Sequence, residues 1–203
     1  MNRRGLRRTS QHTHRKPLLK PWAVGTAGID DDRAPRIATG LNVVALAALT
    51  ARDRRSHVKI DTTRFGSIDI EPHDLLHFPS GLLGLEEYRH WVLLADAAND
   101  ALGWLQSISH PEIAFAVVSP RRFVVDYQVR VSRGELAPLA LEEVREAQVL
   151  TIVGKNECGI TLNLKAPLVI NLERRLGRQV VTNGNQPIQH TLAGEPAALR
   201  KTA

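Results

Sequence analysis

Cysteine is almost missing from this 203-residue chain, and Cys158 stands alone. A single thiol forms no intramolecular disulfide and no multi-thiolate metal site, and it is compatible with a reducing compartment. Cys158 falls in a turn between Glu157 and Gly159, with no basic neighbour to lower its pKa, which argues against a nucleophile. Aromatic residues make up only 4% of the chain, too few for a ladder of exposed rings that stacks single-stranded nucleic acid along a basic groove. Trp91 and Trp104 lie in apolar segments and read as core, whereas Trp22 lies outside the patterned region. Long hydrophobic runs are also missing. Residues 37–51, the longest apolar stretch without formal charge, are rich in alanine and interrupted by Thr39, Gly40 and Asn42, too short and too weak for a membrane span. They also lie too far from Met1 to serve as a secretory signal.

Positive charge is abundant but unevenly placed. The formal net charge is +6, yet residues 1–57 hold twelve Lys or Arg and four Asp, which leaves fifteen basic and seventeen acidic residues in 58–203. The patterned part is therefore weakly acidic, a balance that repels phosphate and favours a basic protein partner. Residues 1–57 show no stable periodicity and are expected to form a disordered basic extension, with only residues 41–49 able to make a marginal helix. Regular patterning begins abruptly at Val58, and no methionine follows Met1. As a hypothesis, translation starts at the codon of Val58; an intact mass of the native protein that includes residues 1–57 would refute it.

From Val58 onward, turn signals recur every eight to twelve residues. Residues 58–64 and 67–71 predict a hairpin around Phe65-Gly66, because glycine admits positive φ. Further strands are expected at 91–95, 102–106, 113–117, 127–131, 148–153, 160–164, 168–172 and 179–182, with turns at 154–159 and 176–178. Tyr127, Val129 and Val131 alternate with polar residues as a half-exposed strand should. Leu162, Leu164, Leu168 and Ile170 are expected to pack the core, while Asn163, Lys165 and Asn171 have no assigned purpose. Residues 85–89 and 141–146 each suit one helical turn, and Ser132-Arg133-Gly134-Glu135 matches a capping box that Pro138 keeps short. Many short strands and few helices predict a mainly β fold, a β-sandwich or a closed barrel.

Catalytic constellations are not apparent. His73 and His77 have the spacing of two ligands on one helix face, but Phe78-Pro79 follows directly and no third ligand is in evidence. Gly81-Leu82-Leu83-Gly84 is neither a phosphate-binding loop nor a dinucleotide fingerprint. Asp126 and Tyr127 are adjacent, and neighbours on a strand face opposite ways. No enzyme, metal or cofactor is expected. Glu86-Glu87 and Glu142-Glu143 read as solvated charges or as acidic patches for a basic partner.

Several motifs carry a resemblance. They are His77-Phe78-Pro79-Ser80-Gly81-Leu82-Leu83-Gly84-Leu85-Glu86, Leu105-Gln106-Ser107 with Pro111-Glu112-Ile113-Ala114-Phe115, and Phe123-Val124-Val125-Asp126-Tyr127. Residues 163–171 and Arg175-Leu176-Gly177-Arg178-Gln179 complete the set. In order and spacing these resemble the flagellar assembly factor FliW family across 58–192. The departures are the extension, the C-terminal tail, and Leu85 where the family usually has an aromatic residue. The resemblance implies a small antiparallel β-barrel-like domain over 58–192, with a C-terminal tail at 193–203. It also implies a non-enzymatic cytoplasmic protein, monomeric when free, that binds flagellin and antagonises the carbon storage regulator CsrA, relieving repression of flagellin translation. It implies no cofactor, no membrane and no direct nucleic-acid contact. Partner contacts are expected around Gln106, Ser107, Glu112, Asp126 and Tyr127, the polar motif positions that core packing alone does not explain. The rival readings are a flagellin chaperone alone, an RNA-binding module acting through the basic arm, and a small-ligand β-barrel enzyme.

Overall fold

A computed structural model describes residues 57–192 of the chain. The expected disorder of residues 1–57, the marginal helix at 41–49, Trp22 and the tail at 193–203 fall, apart from His57, outside the described residues.

The chain opens with the expected hairpin, β1 (Val58–Thr62) and β2 (Gly66–Ile70), whose turn ends at Gly66 with φ 68°. Then come β3 (Leu75–His77), β4 (His90–Ala95), β5 (Leu102–Ser107) and β6 (Ala114–Val118). A single turn of helix, α1 (Arg133–Leu136), interrupts the β structure before the ten-residue strand β7 (Ala147–Asn156). The capping box at its start is present as the sequence implies: Ser132 accepts from the Glu135 backbone, and Glu135 accepts from the Ser132 backbone. Strands β8 (Gly159–Leu162), β9 (Leu168–Asn171), β10 (Leu176–Gln179) and β11 (His190–Thr191) complete the order.

The strands close into a barrel. The ladder runs β7-β6-β5-β4-β3-β10-β9, and β9 pairs back onto β7. Every pairing is antiparallel except β3 with β10, which is parallel and consists of one pair, Leu176 with His77. That pairing stops early for a covalent reason. Two residues on from His77, the next position whose backbone nitrogen faces β10 in such a ladder is Pro79, which has no N–H to donate. The second half of β7 leaves the barrel and pairs with β8, to which β11 is added.

Three apolar clusters account for the strand pattern. The barrel interior takes Leu76, Trp91, Leu93, Leu105, Val117, Leu150, Leu168 and Ile170, one or two from each of six strands, with Phe78 and Leu82 closing one end. On the outer face of β4 and β5, Ile60, Ile68 and Ile70 of the hairpin pack on Val92, Leu94 and Trp104. On the outer face of β7 and β9, Val149 and Val169 meet Tyr127, Val129, Leu136 and Leu139. Each fully buried side chain of this size contributes about 1.5–3 kcal/mol. Strand β9 is therefore buried on both faces. Leu162, Leu164, Leu168 and Ile170 are core, as expected, but Val169 and Asn171 are buried as well.

Other expectations need correction. Residues 127–131 are not a strand; they form an extended segment laid against the barrel, held by the Tyr127 hydroxyl donating to the Leu164 carbonyl at 2.7 Å. Alternation there reports burial against a neighbour, which a docked segment shares with a strand. Residues 176–178, expected as a turn, belong to β10, which ends at Gln179 so that 180–182 are not strand, and the turn before it places Arg175 at φ 57°. Residues 85–89 form turns with a Leu82–Leu85 bridge instead of helix, and 141–146 contribute only a 3-10 turn, Val144–Glu146. The short strands β3 and β11 carry too few residues to show a period.

Candidate functional site

Gln106 and Ser107 are buried at the end of β5, beneath the loop formed by residues 107–113. The Gln106 amide nitrogen points at four backbone carbonyls: Ser107 at 2.9 Å, Ile113 at 3.0 Å, His110 at 3.2 Å and Pro111 at 3.4 Å. A ring of acceptors fixes which end of the amide faces the loop. The Ser107 hydroxyl accepts from the His110 N–H at 3.3 Å, and the Ser107 N–H donates to the Ile113 carbonyl at 2.9 Å. Neighbouring elements brace the loop further, since the Thr63 N–H donates to the Pro111 carbonyl and the Ile108 N–H to the His90 carbonyl. Gln106 and Ser107 thus shape the loop from below, without a surface of their own.

The loop displays His110 and Glu112. Their side chains lie 3.2 Å apart, and the Glu112 carboxyl is exposed. Backbone N–H donation at Glu112, followed by the His110 ring, holds that carboxyl below the ordinary glutamate range. The His110 ring rests on Tyr88 with centroids 4.3 Å apart, which joins this loop to residues 78–89. Glu87 hydrogen-bonds the Tyr88 phenol and, with Glu112 nearby, raises its pKa. Glu86 accepts from the Gly84 N–H at 2.8 Å, which lowers the pKa of its carboxyl. The carboxylates of Glu87 and Glu112 therefore share one face with the Tyr88 and His110 rings. Carboxylates there favour a cationic partner, and the Tyr88–His110 pair offers contact area at small entropic cost.

Asp126 and Tyr127 are placed elsewhere. The segment that carries them follows the far end of β6 from Glu112. Asp126 is exposed in a turn closed by the Tyr127 N–H donating to the Val124 carbonyl, beside Val125, which is 87% exposed. Tyr127 itself is buried, and burial raises its pKa. Of the five expected contact residues, Glu112 and Asp126 are accessible, and the structure does not bring them together. Tyr88 and His110 were not singled out by sequence, because only the fold juxtaposes positions so far apart in the chain.

The polar residues without an assigned purpose also find roles inside the fold. Asn163 accepts from the Ala166 N–H at 3.0 Å. The Lys165 ammonium donates to the Thr182 and Gly184 carbonyls, both at 2.8 Å. Asn171 donates to the Leu139 and Ala140 carbonyls and accepts from the Glu173 and Arg174 N–H groups. His73 and His77 do not share a helix: one sits in a 3-10 turn beside Glu71, the other in β3. Among the described residues no three metal-ligating side chains converge.

Comparison with known proteins agrees with this geometry. A family model described as FliW protein matches residues 59–192. The flagellar assembly factor FliW of Bdellovibrio bacteriovorus is 38% identical over 128 residues, covering 62% of this chain and 73% of that protein. That of Desulfitobacterium hafniense is 32% identical over 144 residues, covering 70% of this chain and 95% of the relative. A crystal structure of the flagellar assembly factor FliW superposes with a TM-score of 0.63 at 30% identity, covering 68% of this chain and 99% of the other. Matched across its barrel, its covering hairpin and the loops that carry the acidic face, the chain belongs to the FliW family.

Proposed function

We propose that this protein is a non-enzymatic cytoplasmic partner switch that binds flagellin and antagonises CsrA, with residues 58–192 as the working unit and the free protein monomeric. Membership in a family of flagellar assembly factors supports a role in flagellum biogenesis. The observation that carries the CsrA arm is the acidic face where Glu87 and Tyr88 of the 78–89 loop meet His110 and Glu112 of the loop that buried Gln106 braces, with Glu86 next to Glu87 in the chain. A basic RNA-binding repressor presents the complementary charge. An acidic protein docked beside its RNA path opposes phosphate through its field or stabilises a conformation of lower RNA affinity. Flagellin, whose amphipathic helical end suits an apolar groove, is the second ligand. In this scheme flagellin occupies the protein while it accumulates, and its export frees the protein to act on CsrA.

Titration of the full chain with purified CsrA and with flagellin tests the proposal. Glu112→Lys is expected to weaken CsrA binding about tenfold at low salt and less at high salt, with unchanged unfolding midpoint. Unchanged CsrA affinity in this variant removes Glu112 from the face. Binding of flagellin without CsrA reduces the function to that of a flagellin chaperone, and RNA binding lost on deleting residues 1–57 moves it to the basic arm.

A further inference from the structure

His77 and His90 oppose one another across β3 and β4. The Phe78 N–H donates to the Arg89 carbonyl at 2.8 Å, so the His77–His90 pair beside it is of the non-hydrogen-bonded kind, in which facing side chains stand closest. Their ring centroids are 5.0 Å apart, with the planes tilted by 31°. This pair forms the stem of the 78–89 loop, which carries Glu86, Glu87 and Tyr88. The same His77 also makes the one pairing that joins β3 to β10, its N–H donating to the Arg175 carbonyl at 2.8 Å.

The surroundings are poor in compensation for a proton. Strand β4 supplies His90, and the residue before it is Arg89; both oppose a charge on His77. The turn before β10 supplies Arg175, whose guanidinium is half-buried and has Asp74 as its opposing charge. The turn before β3 holds His73, which lies 3.1 Å from Glu71 and 3.7 Å from Asp74. The Nδ1 of His77 is enclosed without a hydrogen-bond partner among the described residues, which favours a bare lone pair there and the proton on Nε2.

We propose that the His77–His90 pair is a proton-sensitive clasp at the stem of the docking loop, closed while His77 is neutral and loosened when His77 takes up a proton beside the His90 ring. Burial, then His90, then Arg89 hold the His77 pKa below its ordinary 6.5, outweighing the Arg89 backbone bond. The closed clasp therefore binds fewer protons than the open one. Its stability is complete above the ordinary histidine range and falls as pH drops through the lowered value. The consequence for partner binding rests on the reading of the acidic face given above; the opening itself does not.

Hydrogen exchange of the full chain at about pH 7.5 and about pH 5.5 tests it, with rates corrected for the intrinsic pH dependence of amide exchange. Protection at Phe78, Leu82, Leu85 and Tyr88 is expected to fall at least about threefold at the lower pH, while amides of β5 and β6 keep theirs. In His90→Gln, a change at an exposed position, the fall should shrink, and in the His77→Gln, His90→Gln double variant it should vanish. Equal protection of the wild type at both pH values, or an undiminished fall in the double variant, overturns the clasp. If the clasp opens but CsrA affinity does not follow, the inference stands and the reading of the docking face fails.

Discussion

Replacing Gln106 with leucine separates the scaffold of the loop from its surface. The side chain is buried, and its nitrogen faces four carbonyls between 2.9 and 3.4 Å away, but an amide has only two hydrogens. The two close bonds, to Ser107 and Ile113, carry most of the interaction, and the longer two share what remains. Stranding the buried Ser107 carbonyl costs about 1–3 kcal/mol, and the Ile113 carbonyl, which keeps the Ser107 N–H, loses a second bond of about 0.5–1.5 kcal/mol. Against this, leucine restores about 1–2 kcal/mol of apolar burial. It also removes the Gln106 carbonyl oxygen, which has no partner among the described residues. The net expectation is a loss of roughly 1–2 kcal/mol, or a Tm lower by roughly 4–8 °C. Urea denaturation should show a lower midpoint with an unchanged slope, and hydrogen exchange should show selective loss of protection at His110 and Ile113. If stability stays within about 0.5 kcal/mol and the loop remains protected, Gln106 is not the anchor described, and the preorganisation of the acidic face falls with it.

Three further changes probe the scaffold. Gly177→Ala should cost about 3 kcal/mol or more in chemical denaturation, because its new methyl would meet the Phe78 ring at 2.3 Å where that ring closes the barrel. Tyr127→Phe should cost about 1–2 kcal/mol by stranding the buried Leu164 carbonyl, and thermal melts should record it without a change in the circular dichroism spectrum. Ala140→Gly should leave stability unchanged or raise it by up to about 1 kcal/mol, since Ala140 sits at φ 48°; a clear loss in Tm would show that this conformation carries no strain.

Period-two patterning located β1, β2 and β4 to β9 because each holds enough alternating or continuous apolar residues to face a core. It failed where the same pattern has another cause. Val129 and Tyr127 alternate with polar neighbours because their segment lies against Val149 and Val169, although no strand pairs with it. Strand β10 contains Gly177 and Arg178 in a sequence that looks like a turn, and glycine is required there by the Phe78 ring. The burial of Asn171 was equally hidden, since an asparagine reads as exposed until four backbone partners surround it.

The candidate site divides along the same line. Acidic character beyond residue 57 and the paired Glu86-Glu87 were legible from composition, because charge is a property of residues whatever their arrangement. The polar motif residues Gln106 and Ser107 were visible too, but their exposure was not. Only closure of the barrel buries them under the loop that holds Glu112 outward and sets His110 against Tyr88. By itself, then, the sequence determined a mainly β domain of the FliW kind, since alternation, turn residues and ordered motifs are local quantities. Which polar residues face solvent, which brace the backbone, and which two histidines meet were decided by strand register, which brings together positions that no local pattern connects.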